Sequence, residues 1–276
     1  MPIFTTSSGC DLFYRDECFA DAWETPETVL LLHGNAESSA AWNGWMPLMG
    51  RQFRVIRPDM RGFGQSTPMP LDHPWSVDGI IADFMALMDA LGIRRFHVIG
   101  AKIACPIALR LAARHADRVA SLVVVGGIVS GTESLGDRAA SWVARIEEEG
   151  VESWARWTMD GRLGSSASAA MKEGWAKLMG ATALSTQLGF IRSVPGIDVW
   201  ADLPRITCPV LVITTDGSGL GSVEAVRAWQ KAIAGSEFMV VPGDSYHVAA
   251  THPETCAQAS LDFIARRARL GGRAKP

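Results

Sequence analysis

Short apolar runs alternate along this chain with stretches whose apolar positions recur every three or four residues. The first two runs, "IFTT" and "DLFYRD", flank a Ser-Ser-Gly-Cys turn and predict an antiparallel hairpin. Then come "TVLLLHG", "FRVIRPD", "RFHVIGA", "SLVVVGG", "PVLVITT" and "EFMVVPG". Each is continuously apolar rather than alternating, as expected of strands covered on both faces. Between them, Val77, Ile80, Ile81, Phe84, Met85, Met88 and Leu91 keep the i, i+3, i+4 spacing of a helix with one buried face. Strand and helix in repetition predict an α/β fold, a mostly parallel sheet of about eight strands with helices on both sides.

From about Ser130 to Ala201 that rhythm stops. No strand pattern is visible there, and "RAASWVARIEEEGVESWARWTM" reads as helix. The chain thus divides into a core, residues 1–129 and 202–276, and an inserted helical cap, residues 130–201, folding over the carboxyl ends of the strands. Five of the ten tryptophans, Trp142, Trp154, Trp157, Trp175 and Trp200, fall in the insertion. They are enough to build its own core, and one or two of them are candidates to line an apolar ligand pocket.

Composition narrows the function classes. A chain of 276 residues can bury a sizeable core. At 20% charged residues and a net charge of −3 it shows no basic stripe, which argues against nucleic acid as a partner. No uninterrupted apolar run reaches the roughly 18 residues of a membrane span. The start, "MPIFTTSSGCDLFYRDE", does not read as a signal peptide, so a cytoplasmic location is the expectation. Cys10, Cys18, Cys105, Cys208 and Cys256 are scattered and without a CxxC, which fits reduced thiols better than disulfides or a metal site. No cofactor or metal is expected, a small molecule is the expected partner, and the pattern leaves the oligomeric state open.

Five stretches occur in an order and spacing that resemble the α/β-hydrolase superfamily over nearly the whole chain, and within it the enol-lactonase and carbon–carbon-bond hydrolase branch. "LLLHGNAESSAAW" is similar to the His-Gly-x loop, "DMRGFGQS" to the Asp-x-Arg-Gly-x-Gly-x-Ser loop, and "LGIRRFHVIGAKIACPIALRLAARHADRVASLVVVG" to the elbow strand, elbow and helix. "ITCPVLVITTDGSG" and "GDSYHVAATHPE" resemble the acid strand and the histidine loop. The resemblance implies a nucleophile elbow, Gly-x-Ser-x-Gly, in which a sharp strand-to-helix turn lifts the serine oxygen clear of the sheet.

Here those positions are Gly100, Ala101, Lys102, Ile103 and Ala104. Gly100 is kept and Ala104 is small, so the turn is expected intact, with Pro106 in the first helical turn where its missing N–H costs little. The nucleophile, however, is a lysine. The resemblance places the catalytic histidine at His247, with His252 nearer the surface and His33 shaping the oxyanion loop. Ser218 stands where the family carries its aspartate, and Asp216, two residues earlier, is the candidate replacement. Backbone N–H groups of Asn35 and Ile103 map to the oxyanion hole, so Asn35, Ile103, His33 and Ser218 are candidate substrate-binding residues and Lys102, His247 and Asp216 candidate catalytic ones.

A lysine at a helix N-terminus beneath a cap is pushed toward its neutral amine by burial and by the helix dipole. A neutral amine attacks ketones and aldehydes to form a Schiff base. It is poorly suited to ester turnover, since acyl transfer to an amine ends in a stable amide. A carboxylate such as Asp216 or Glu37 reaching the amine reverses the balance and keeps an ammonium, which serves as a point-charge anchor. The sequence therefore supports a hydrolase- or lyase-type enzyme on a small carbonyl or carboxylate compound. The alternative is an inactive homologue that only binds a small ligand.

Overall fold

The structure is a computed structural model and describes residues 2–136 and 138–272. Its eight strands are β1 (Ile3–Thr5), β2 (Asp11–Glu17), β3 (Thr28–Leu32), β4 (Arg54–Pro58), β5 (Phe96–Ala101), β6 (Val119–Val125), β7 (Val210–Thr215) and β8 (Glu237–Val241). They form one sheet in the order β1-β2-β4-β3-β5-β6-β7-β8. β1 and β2 are the antiparallel hairpin, β2 also lies antiparallel to β4, and β3 to β8 run parallel. All eight strands fall on the apolar runs of the sequence. β8 departs in one respect: as the edge strand it is mostly half-buried rather than covered on both faces.

The two faces of the sheet are covered separately because side chains alternate along each strand. Leu30, Leu32, Val98, Val124 and Val212 point to the side of α2 (Val77–Ala90) and α3 (Ala104–Arg114). Val29, Leu31, Ile99, Val123 and Ile213 point to the other side, where α1 (Met46–Met49), Trp42 and Trp45 pack with the carboxyl-terminal helix (Pro253–Gly272). In α2, Ser76 caps the first turn by accepting the Gly79 N–H at 3.0 Å, and the apolar positions picked from the spacing are buried from Val77 to Met88. Leu91 is the capping residue just beyond the helix end.

Between β6 and β7 lie α4 (Gly131–Leu135), α5 (Arg138–Leu163), α6 (Ala169–Gly180) and α7 (Leu184–Ser193), with no named strand among the described residues of this stretch. Gly150, at φ 85°, breaks α5 into two arms, a backbone conformation that glycine takes without steric cost. Trp142 and Trp154 face each other across that break with ring centroids 5.4 Å apart. Together with Ile146, Leu163, Ala176 and Met179 they form the buried heart of the insertion. Trp157 and Trp200, by contrast, are exposed.

The end of α5 is fastened to the loop that follows β8. The Arg162 carbonyl accepts from Ser245 Oγ at 2.8 Å and from the His247 N–H at 3.0 Å, and the Asp244 carboxylate accepts the Ser165 N–H at 3.0 Å. The remaining helices are α8 (Val223–Gln230), α9 (Val248–Thr251) and α10, the carboxyl-terminal helix. The parallel strands thus deliver the loops after β3, β4, β5, β7 and β8 to one end of the sheet, where ligands of such folds bind. Among the described residues, no helix is long and apolar enough to cross a membrane.

Candidate active site

The elbow is sharply turned. Lys102 has φ 52°, in the left-handed region that costs a non-glycine residue about 1–2 kcal/mol. Its N–H donates to the Val125 carbonyl at 3.0 Å, fixing the turn against β6. A Cβ on Gly100 would stand 3.0 Å from the Ala104 carbonyl oxygen and 3.0 Å from Ala108 Cβ, so helix and strand are as close as that glycine allows. The small residues at 100 and 104 thus sit in a tight strand-to-helix turn, with lysine at its apex.

The loop after β3 lies directly over that apex. A Cβ on Gly34 would be 2.5 Å from Lys102 Cε, so the lysine stem rests on bare backbone. His33 ties this loop to the next. Its Nε2 accepts the Met60 N–H at 2.9 Å, which leaves Nδ1 to donate to the Gly34 carbonyl at 2.7 Å. Both ring nitrogens are therefore engaged in holding loops. Asp59 adds a second tie, accepting N–H groups from Ser39 at 2.5 Å and Gln65 at 2.8 Å.

Glu37 closes the site from behind. It is only 1% exposed, and its Oε2 accepts the Gly34 N–H at 2.9 Å. Its Oε1 accepts a hydrogen bond from the Lys102 ammonium and lies 3.1 Å from His247 Nε2. The histidine contact is close in distance but badly aligned for a hydrogen bond. Nδ1 of His247 has no hydrogen-bond partner among the described residues. The ring is instead held edge-on by Trp175, 4.7 Å between centroids.

Burial opposes charge on all three groups, and their mutual contacts decide which keep it. For Glu37 the desolvation is outweighed by His247 and Lys102, and its carboxyl is held well below the usual range. Burial pushes Lys102 down to about 8, against the pull of Glu37. It pushes His247 down to about 4, again against Glu37 and with Lys102 adding to the descent. At neutral pH the trio is a carboxylate, an ammonium and a neutral imidazole.

In front of Lys102 lies a small cavity. From the core loops it is walled by Asn35, Ile103, Ile128, Leu220 and Tyr246, and from the insertion by Leu135, Trp142, Arg162, Ile191 and Val194. Asn35 and Ile103 thus meet Lys102 at the cavity. His247 does not line it and lies one contact back, behind Glu37.

The other two sequence candidates are placed elsewhere. Asp216 is exposed, and its Oδ1 accepts the Gly243 N–H at 2.8 Å, so its carboxylate joins the loops after β7 and β8 and not His247. Ser218 is half-buried and its Oγ accepts the Leu220 N–H at 3.3 Å, a local turn contact, and it does not itself line the cavity. The acid beside the histidine is Glu37, from the opposite side of the sheet's centre and on the other ring nitrogen from the family pattern. Arg162 and Tyr246 were not singled out from the sequence. Arg162 had a signal: with Trp154 and Thr158 it falls at i, i+4, i+8 on the buried face of α5.

Comparison with known proteins agrees with this architecture. The family described as "alpha/beta hydrolase fold" matches residues 27–148. A candidate carbamate hydrolase, RutD, of Caulobacter sp. (strain K31) is 27% identical over 248 residues, 88% of this chain and 92% of its own. The 2-hydroxymuconate semialdehyde hydrolase of Pseudomonas sp. (strain CF600) is 37% identical over 101 residues, 36% of this chain and 35% of its own. The crystal structure of the enol-lactonase from Burkholderia xenovorans LB400 superposes with a TM-score of 0.86 at 20% identity, covering 96% of this chain and 100% of that one. Fold and sequence match together give this chain the α/β-hydrolase fold.

Proposed function

We propose that this chain is an enzyme of hydrolase or lyase type acting on a small carbonyl- or carboxylate-containing compound, by proton transfer and charge stabilisation at Lys102 rather than through an acyl-serine. The observation that carries the reading is the buried Lys102–Glu37 pair at the apex of the elbow, with His247 against the same carboxylate oxygen. Residues 130–201 act in it as the cap that shuts the cavity from water.

Glu37 supplies the condition under which a buried lysine stays an ammonium. This favours the charged role of Lys102 over the Schiff base. With a pKa near 8 the ammonium gives up its proton within reach of neutral pH, so it can protonate a carbonyl oxygen or enolate and take the proton back. The backbone N–H groups of Asn35 and Ile103 would share the developing negative charge. Glu37 and His247 are positioning residues here: they hold the ammonium and set its acidity without touching substrate.

The test is a panel of small enol lactones, carbamates, aryl esters and β-keto acids, with products identified by mass and turnover followed in wild type, Lys102→Met and Lys102→Arg. Turnover on at least one class, lowered at least about 100-fold in Lys102→Met, is the expected result. Turnover indifferent to Lys102→Met overturns the assignment. Binding without turnover of any class favours the ligand-binding alternative instead.

A further inference from the structure

The wall of the cavity that belongs to the insertion carries a second cation for which the fold provides no counter-charge. Arg162 is 3% exposed. Its Nη2 donates to Thr158 Oγ1 at 3.2 Å, and its guanidinium lies over the rings of Trp154 and Tyr246 at 5.6 Å and 5.3 Å. Nε is buried with no hydrogen-bond partner, and no carboxylate pairs with the guanidinium among the described residues. The Tyr246 hydroxyl, from the core loop after β8 and beneath the Arg162 guanidinium, is also buried without a hydrogen-bond partner among the described residues.

A guanidinium cannot discard its proton as a buried lysine can. Glu37 is already committed to Lys102. One buried carboxylate facing two buried cations leaves a single uncompensated positive charge at the cavity. Buried charges are ordinarily paired, so such a remainder marks a place where a ligand brings the missing charge. From these observations we propose that the cavity takes a small monocarboxylate, with its carboxylate held by Arg162 Nε–H and the Tyr246 hydroxyl. Its apolar body then lies against Ile128, Leu135, Trp142, Ile191 and Val194.

Two features make this a built site. The Arg162 main chain is pinned to the loop of His247 through its carbonyl, so the guanidinium is fixed relative to the trio behind Lys102. Its guanidinium is held over two aromatic rings and by Thr158, with Nε–H left to meet a carboxylate oxygen. Lys102 is thereby released for the reacting oxygen, while the anion is gripped between Arg162 of the insertion and Tyr246 of the core. The inference deepens the proposed function and rests on it for the meaning of the site. Its test reads binding and no turnover, so the two can fail separately.

The probes are butyrate and its neutral counterpart butyramide, titrated by calorimetry and by ligand-observed NMR into the full chain. Butyrate is expected to bind at least about 10-fold more tightly than butyramide, and Arg162→Met to remove that preference while leaving butyramide binding unchanged. Arg162→Lys, which keeps the charge and loses the fork, should restore part of it. Equal binding of the two probes to wild type overturns the proposal. So does a butyrate preference that survives Arg162→Met in a variant with a wild-type thermal transition, or one removed equally by Lys102→Met, which would make Lys102 the anchor. If Arg162→Met fails to fold, Tyr246→Phe is the deciding variant: butyrate should weaken about threefold or more and butyramide not at all, and an unchanged preference counts against the proposal.

Discussion

Glu37→Gln isolates the interaction on which the site depends, since it removes the charge and keeps the shape. In the wild type, burial takes Lys102 down to about 8 although the Glu37 carboxylate pulls the other way. An opposite charge in direct contact is worth about 1–3 pKa units to the group it stabilises. Without it the same burial acts unopposed, and Lys102 is expected to titrate near about 5–7. The lysine of the variant is then largely a neutral amine at pH 7.

The stability consequence has a definite pH signature. An unpaired buried ammonium costs about 3–5 kcal/mol when its partner is removed. That figure applies only where the lysine is still forced to carry its proton. A lysine whose folded pKa lies below its unfolded value gains stability as pH rises between the two, because the unfolded chain binds the proton that the native chain has released. For the wild type that window opens near pH 8, and for Glu37→Gln it opens one to three units lower. The destabilisation should therefore be largest near pH 5 and shrink as pH rises toward 8. Urea unfolding at pH 5, 6, 7 and 8 measures it, and NMR of the Lys102 side chain, identified by its loss in Lys102→Arg, gives the titration directly. Incubation with a small aldehyde and borohydride adds a chemical readout: little adduct at pH 7 in wild type, clear adduct on Lys102 in the variant. A Lys102 pKa at or above the wild-type value, with a pH-independent loss of stability, would refute the reasoning.

Other consequences are simpler to check. The His247 imidazole, pushed to about 4 by burial, must be charged in the unfolded chain at pH values where it is neutral in the native one, so stability should fall between pH 6.5 and 4 by at most about 3 kcal/mol, and His247→Gln should flatten that slope in denaturant titrations. Gly34→Ala places a Cβ 2.5 Å from Lys102 Cε and must displace the lysine stem, which predicts a lower thermal midpoint and a shifted Lys102 titration, whereas Gly174→Ala, with open space around its Cβ, should be silent or mildly stabilising. Fluorophosphonate probes should leave the protein unlabelled, Ser38 and Ser218 included, as read by intact mass. Lys102→Ser should stay poor on aryl esters, because no carboxylate reaches Nδ1 of His247 to complete the relay, and an increase above about 100-fold over the Lys102→Met background would overturn that account.

Much of the fold is legible in the sequence because strands and helices are specified locally. The six continuous runs are strands since both faces of the sheet are covered, and even the half-buried edge at β8 keeps an apolar run. The elbow is legible for the same reason: Gly100 and Ala104 are small because helix and strand touch there. The site is less so, since its decisive contact is between residues 65 positions apart. Glu37 and Asp216 are equally plausible partners for Lys102 on sequence alone, each sitting in a loop after a central strand. What separates them is the direction each loop leaves the sheet. Asp216 turns outward to hold the Gly243 N–H, while Glu37 turns inward because the Gly34 N–H claims its other oxygen.

That inward turn changes what the remaining histidine can do. In a serine hydrolase the acid lies behind the imidazole on Nδ1 and the nucleophile in front on Nε2. Here the carboxylate has taken the Nε2 side, between the ring and the elbow, and Nδ1 is left without a hydrogen-bond partner among the described residues. A proton passed toward His247 must cross Glu37, and a ring pushed to about 4 accepts it poorly. The histidine is therefore better suited to packing beside the carboxylate than to shuttling protons for substrate. In the proposed function the proton that matters at neutral pH is the one on Lys102, whose value near 8 follows from burial and Glu37 acting in opposition. In the proposed function, a lysine at the elbow held by the Glu37 carboxylate stabilises negative charge on a bound oxygen where an acyl-transfer site would carry its nucleophile.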